Sequence, residues 1–185
     1  MIEWIKEDAE AGKITPEVAK HAFESLGATP EQLAPDSRSE DVKALDAQFP
    51  PAKPSEYVIH YGDAPMTPEL KQFDQSARTW LAGAEFDRSL GNSLVSAIEK
   101  VSRQTQHMTA EQIESYALVE FQKLERIYGS KLDEKLRVAG KMVQELEKIR
   151  PGVNALLKSN GIGDSALVAN LLIQQSERYW TRRKK

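Results

Sequence analysis

The run Gly161-x-Gly163-x-x-Ala166, at the mouth of a helical segment, has the spacing of a dinucleotide-binding turn, in which small residues let a pyrophosphate approach a helix N-terminus. Its surroundings are wrong for that chemistry: helical sequence precedes it instead of a strand, and no acidic ribose ligand appears about 20 residues on. Gly161 reads instead as a helix stop and Asp164 as an N-cap. His21, His60 and His107 fall in three different segments, with no H-x-x-x-H or E-x-x-H spacing to place ligands on one helical face. Glu111, Glu114, Glu120 and Glu125 lie along one helix without a histidine or nucleophile beside them, and read as its solvated face. There is no P-loop, G-x-S-x-G elbow or EF-hand loop, and no cysteine to supply a thiolate, a disulfide or a metal ligand. The residues therefore point to no catalytic group, no metal site and no cofactor, and the chain reads as a non-enzyme.

The constellation that can do binding chemistry is the tail. Arg178, Tyr179, Trp180, Arg182, Arg183, Lys184 and Lys185 combine point charges, which attract an acidic surface, with aromatic anchors, which supply buried area. The same residues also have an internal reading, with Tyr179 and Trp180 closing a core and the basic groups keeping the end soluble. Residues 178–185 hold five basic groups and no acidic one, whereas residues 1–49 hold five basic against eleven acidic. Such asymmetry points to a charged-surface partner. With an overall net charge of −3 and a pI near 5.7, nucleic acid is an unlikely ligand. An acidic N-terminus and the lack of any long apolar run fit neither a signal peptide nor a membrane span, and the expected compartment is the cytoplasm.

The elements that must position these residues read as mainly α. Residues 1–27 form an expected helical hairpin, with Ile2 and Ile5 on the first arm, a stop at Gly12, and Thr15-Pro16 capping a second arm that carries Val18, Ala22, Phe23 and Leu26. Residues 28–66 read as an acidic, Pro-rich linker with a weak helix over 39–49, a boundary at Pro50-Pro51-Ala52-Lys53-Pro54, and an extended arm at Tyr57–Tyr61. Much of 28–55 is expected to lack fixed structure. Residues 67–185 form a helical domain, either a bundle or an elongated array, ending in the basic tail. Within it Thr67-Pro68 starts one helix, and Asp87–Gln106 is a second, although Gly91 and Asn92 are poor helix residues. Thr109-Ala110-Glu111-Gln112 is a capping box, opening a helix whose apolar face is Ile113, Ala117, Phe121, Leu124 and Tyr128. Leu132, Leu136, Ala139, Val143 and Leu146 then step by four and three residues, an a/d seam that must meet another helix and is a candidate surface for self-association. The last helix, from Ser165 to about Thr181, is expected to bury Leu167, Val168, Leu171 and Leu172.

From Tyr57 onward the layout resembles the capsid-assembly scaffolding proteins of tailed bacteriophages and related phage-derived structural-cluster proteins. The residues that carry the likeness are Pro54-Ser55-Glu56-Tyr57-Val58, then Phe121 to Gly129 followed by Leu132-Asp133-Glu134-Lys135-Leu136, and Gly161 to Val168. The resemblance implies a helical, self-associating protein bound transiently inside an immature capsid, touching coat protein through Arg178, Trp180, Arg182, Arg183, Lys184 and Lys185. The acidic hairpin at 1–27 departs from that pattern. A cytoplasmic helical adaptor, docking through the hairpin, is the other function the sequence allows.

Overall fold

The computed structural model describes residues 13, 15, 17, 18, 21, 38–61, 65–149 and 151–184. The chain divides into two compact units, Met1–Ser39 and Glu40–Lys185. In the first, Glu17, Val18 and His21 are helical, and the Val18 amide donates to Thr15 Oγ1 at 3.4 Å, the bond expected of a Thr15 cap. The rest of the expected hairpin lies outside the described residues.

The second unit is mainly helical: α1 (Glu40–Gln48), α2 (Pro68–Gly83), α3 (Arg88–Thr105), α4 (Ala110–Tyr128), α5 (Leu132–Ile149), α6 (Val153–Lys158) and α7 (Ala166–Thr181), with short 3-10 turns at Pro54–Glu56, Gly129–Lys131 and Ser159–Gly161. An isolated bridge between Pro51 and Asp87 is the one β-type pairing recorded among them. None of the described helices is long and apolar enough to cross a membrane. Local chemistry sets most boundaries. Thr67, Asp87 and Thr109 each accept a backbone amide three residues on, and Gln112 completes the box at Thr109. Gly129, with φ +53°, closes α4.

Most of the other helices lean on α7. Its buried residues, from Ala166 and Val168 through Leu171, Leu172, Ile173, Gln175 and Ser176 to Tyr179, wrap well beyond a single stripe, as a central helix must. It packs most extensively on α5 and also meets α3, α4 and α1. Leu167, expected in the core, is instead 44% exposed, at an open groove lined also by Ser93, Ser96 and Lys100 of α3. Gln175, fully buried, donates from Nε2 to the Ala84 carbonyl at 2.6 Å, satisfying an end-of-helix acceptor of α2.

The Pro-rich stretch is not a free linker but a strap on the helical unit. The Ala52 amide donates to the Phe86 carbonyl at 2.8 Å, and Tyr57, 1% exposed, inserts its ring and donates from its hydroxyl to the same carbonyl at 2.8 Å. Arg78 donates to the Tyr57 carbonyl, and the Val58 amide donates to Asn92 Oδ1 at 2.9 Å. This explains the two poor helix residues in α3. Asn92 supplies the strap's acceptor, and Gly91 makes room for the ring, since a Cβ there would lie 2.5 and 2.8 Å from Tyr57 carbons. The extended arm at 57–61 is thus seated at its first residue, and the second compact unit begins at Glu40, before the boundary expected near residue 66.

Replacing Gly91 by Ala should cost about 1–3 kcal/mol of stability by overpacking the Tyr57 ring. In a Tyr57→Ala background the same change should become neutral or stabilise by roughly 0.5–1 kcal/mol, because only the helix preference for Ala is left. Urea unfolding of the four chains in this cycle measures it, and additive effects would rule out the steric account of Gly91.

Candidate functional site

Helical spacing puts Arg178 and Arg182 one turn apart on α7, facing the turn between α2 and α3. Arg178 Nη1 donates to Asp87 Oδ2 at 2.5 Å, and its guanidinium lies 3.6 Å from the centre of the Phe49 ring. Arg182, its side chain 6% exposed, donates from Nε to Asp46 Oδ1 at 2.7 Å, from Nη2 to the Phe49 carbonyl at 2.7 Å and from Nη1 to the Glu85 carbonyl at 3.1 Å. Arg183 pairs with Glu85 Oε1 at 2.9 Å and stacks over Tyr179 at 3.5 Å. These forks use the planar, multi-donor geometry that Lys cannot supply. Lys184 is exposed, and Lys185 lies outside the described residues.

The aromatics of the tail face inward. Tyr179 is buried and donates to Glu145 Oε2 at 2.9 Å, while half-buried Trp180 donates from Nε1 to the Val138 carbonyl at 3.4 Å. Their rings meet edge to face at 5.2 Å. Of the expected partner-binding residues, then, Arg178, Tyr179, Trp180, Arg182 and Arg183 all make contacts within their own unit, and Lys184 is left facing solvent.

The residues that complete this node are Asp46, Phe49, Glu85 and Asp87, none of which the sequence singles out. Asp87 serves twice, capping α3 through Oδ1 (3.0 Å to the Leu90 amide) and holding Arg178 through Oδ2. Glu85 adopts φ +57°, a left-handed conformation that glycine usually takes after a helix, and both its carbonyl and its carboxylate reach the arginines. The excess of acid near residue 46 and of base after residue 178 was the one sequence signal for this juxtaposition.

The seam of α5 is also spent within the chain. Ala139, Val143 and Leu146 are buried in the main core with Leu171, Leu172 and Ile173 of α7, and Leu132 is buried with Ala166 and Ala169. Leu136 is half-buried against both groups. The seam meets another helix as its spacing requires, but that helix is α7 of the same molecule, so it is not available for self-association in this fold.

Two further expectations change. Glu120 is not on a solvated face: it is buried, pairs with Lys123, and accepts the Ala166 amide at Oε2 over 2.8 Å. It therefore fills the anion-attracting N-terminus of α7 with a carboxylate of the chain itself. The N-cap of α7 is Ser165, not Asp164, and makes no side-chain cap bond, because Glu120 takes that role from a neighbouring helix. Gly163 is required locally, since a Cβ there would lie 2.8 Å from the Leu157 carbonyl oxygen. His60 and His107 are exposed on separate segments, and among the described residues no three His, Asp or Glu side chains gather as a metal site. An open groove of about 420 Å³ between α5, α6 and α7 carries Lys158 and Asp164 beside the seam residues Leu136 and Val143. It holds no histidine and no pair of carboxylates, so it offers no acid–base couple.

Burial, with the hydrogen bond to Glu145, pushes the Tyr179 phenol up to about 12 from 10.0, and burial beside Asp74 pushes Tyr61 up to about 12. A raised folded-state value means the native chain holds these protons longer than the unfolded one. Their contribution is therefore complete below pH ~10 and is lost progressively as pH rises from there through ~12. Urea midpoints should be flat from pH 7 to 9 and fall beyond 10, and Tyr179→Phe should flatten part of that fall. An unchanged profile in the variant would contradict the assignment.

No family model, curated protein or solved structure matches this chain.

Proposed function

We propose that the chain is a non-enzymatic, scaffolding-like assembly protein that works by presenting a helical contact face. The observation that supports this most is α4. Its core side is narrow: Glu120 and Leu124 are buried and Ile113, Ala117 and Tyr128 of the expected face are half-buried, while Glu120, which reaches the start of α7, takes the inward place expected of Phe121. Phe121, expected in the core, is 41% exposed as a result, and Leu118 (64%), Val119 and Ile127 also face water. Leu118, Val119 and Phe121 fall within about 160° of the helix circumference. These exposed apolar side chains, interspersed with Glu114, Gln122 and Glu125 on the same arc, are the kind of surface that associates with another protein.

In the reading carried over from phage scaffolding proteins, this face supports reversible self-association in the cytoplasm or within an immature capsid, and a coat protein is the second partner. Its proposed route is α4 rather than the α5 seam, which the unit already occupies. The closed seam favours a second reading, a monomeric helical adaptor, because the unit needs no second copy to complete its core.

Light scattering after size-exclusion chromatography over a concentration series tests the two. Concentration-dependent oligomers that collapse to monomer in Leu118→Glu/Phe121→Glu, with helical content unchanged, support assembly. A monomer at every concentration leaves the adaptor. Val143→Glu should instead unfold the unit, with a loss of helix and at least about 3 kcal/mol, since it places a charge in the core.

A further inference from the structure

We propose that the notch formed by Arg178 and Arg182 is a binding site for the acidic, aromatic end of a helix, and that α1 is its built-in, displaceable occupant. This inference does not rest on the assembly reading.

The first support is how α1 is held. Its C-terminal end is tied by Asp46 and the Phe49 carbonyl to Arg182, both at 2.7 Å, and by the Phe49 ring under Arg178. Val42 is its one fully buried residue, so the apolar part of the attachment is small. A helix of nine residues is too short to hold its own conformation in water, so α1 folds as it docks.

The second support is electrostatic. The last turn of α1 has no basic residue and carries Asp46, so its own sequence puts the wrong sign at the negative end of the helix dipole. The missing positive charges come from α7. The end of α1 is therefore completed only when it sits in the notch, as a ligand is completed by its receptor.

The third support is preorganisation of the receptor. Arg178 is held from behind by Asp87 and Arg182 by the Glu85 carbonyl, contacts that do not involve α1. When α1 leaves, the two guanidiniums keep their aim and present unused donors. A partner segment with a carboxylate three residues before an aromatic side chain, at the end of a helix, would reproduce the Asp46 and Phe49 contacts. Because α1 is tethered, the apparent affinity for such a segment is reduced by the fraction of time the notch is free.

The test uses the full chain and, as probe, a fluorescein-labelled peptide of residues 40–51 read by anisotropy. The native chain should bind it weakly, and Asp46→Ala/Phe49→Ala in the full chain should bind it at least about tenfold more tightly, because its own occupant is weakened. Adding Arg182→Ala should abolish that gain, and a peptide carrying the same two alanines should not bind. Hydrogen exchange supplies the fold control: amides 41–49 should lose protection in Asp46→Ala/Phe49→Ala and in Arg182→Ala while those of α5 and α7 keep theirs. If the Asp46→Ala/Phe49→Ala chain keeps α5 and α7 protected yet binds the peptide no better than the native chain, the notch is not a site. If Arg182→Ala leaves amides 41–49 as protected as before, the latch itself is overturned.

Discussion

The helical unit depends on burying α7 around most of its circumference. One helix that buries Val168, Ala169, Leu171, Leu172 and Ile173, with Gln175 and Ser176 also dry, cannot be satisfied by a single neighbour. The a/d seam of α5 covers one side, α3 and the turn after α2 cover another, and Glu120, Leu124 and Tyr128 from the second half of α4 close the N-terminal end. Each polar group on the dry part of α7 needs a partner inside the protein, because leaving it unpaired costs on the order of 1–3 kcal/mol. Gln175 Nε2 finds one in the Ala84 carbonyl and Ser176 finds one in the Ile173 carbonyl at 2.8 Å, while Gln175 Oε1 is left without a protein partner.

The two ends of α7 are finished by charges brought from elsewhere in the sequence, and this links core packing to the surfaces available for binding. At its start, Glu120 replaces a local cap and occupies the inward position of α4 expected of Phe121, which is exposed beside Leu118. At its end, Arg178 and Arg182 gather α1 and the α2–α3 turn. A side chain doing structural duty at one end of a helix thus decides which apolar residues on its neighbour are exposed. The Tyr57 strap acts in the same manner on α3, where Gly91 and Asn92 are weak helix residues that serve as a receptor.

Much of this was legible in the residues. The caps at Thr67 and Thr109 and the α5 seam each follow from contacts within a few positions, so the sequence shows them directly. What misled was always a long-range partner. Glu120 looks like any solvated glutamate until the Ala166 amide, 46 positions away, is brought to it. The Pro-rich stretch looks like a linker until Tyr57 meets Phe86, 29 positions on. Arg182 looks like part of a free basic tail until Asp46, 136 positions earlier, is placed 2.7 Å from it.

By itself the sequence determined that the chain is mainly helical and where most of the helices begin and end, because capping, glycine stops and apolar periodicity act between neighbours along the chain. It also determined that α5 must bury a seam and that opposite charge accumulates near the two ends. Only the tertiary structure decided that the seam is filled by α7 of the same molecule, that the basic end is engaged by acidic groups of the same unit, and that α4 is the helix left with an apolar face in water. Periodicity states that a face will be buried without naming what buries it, and a charge count states an attraction without its geometry. Those choices are made by packing among segments far apart in the chain.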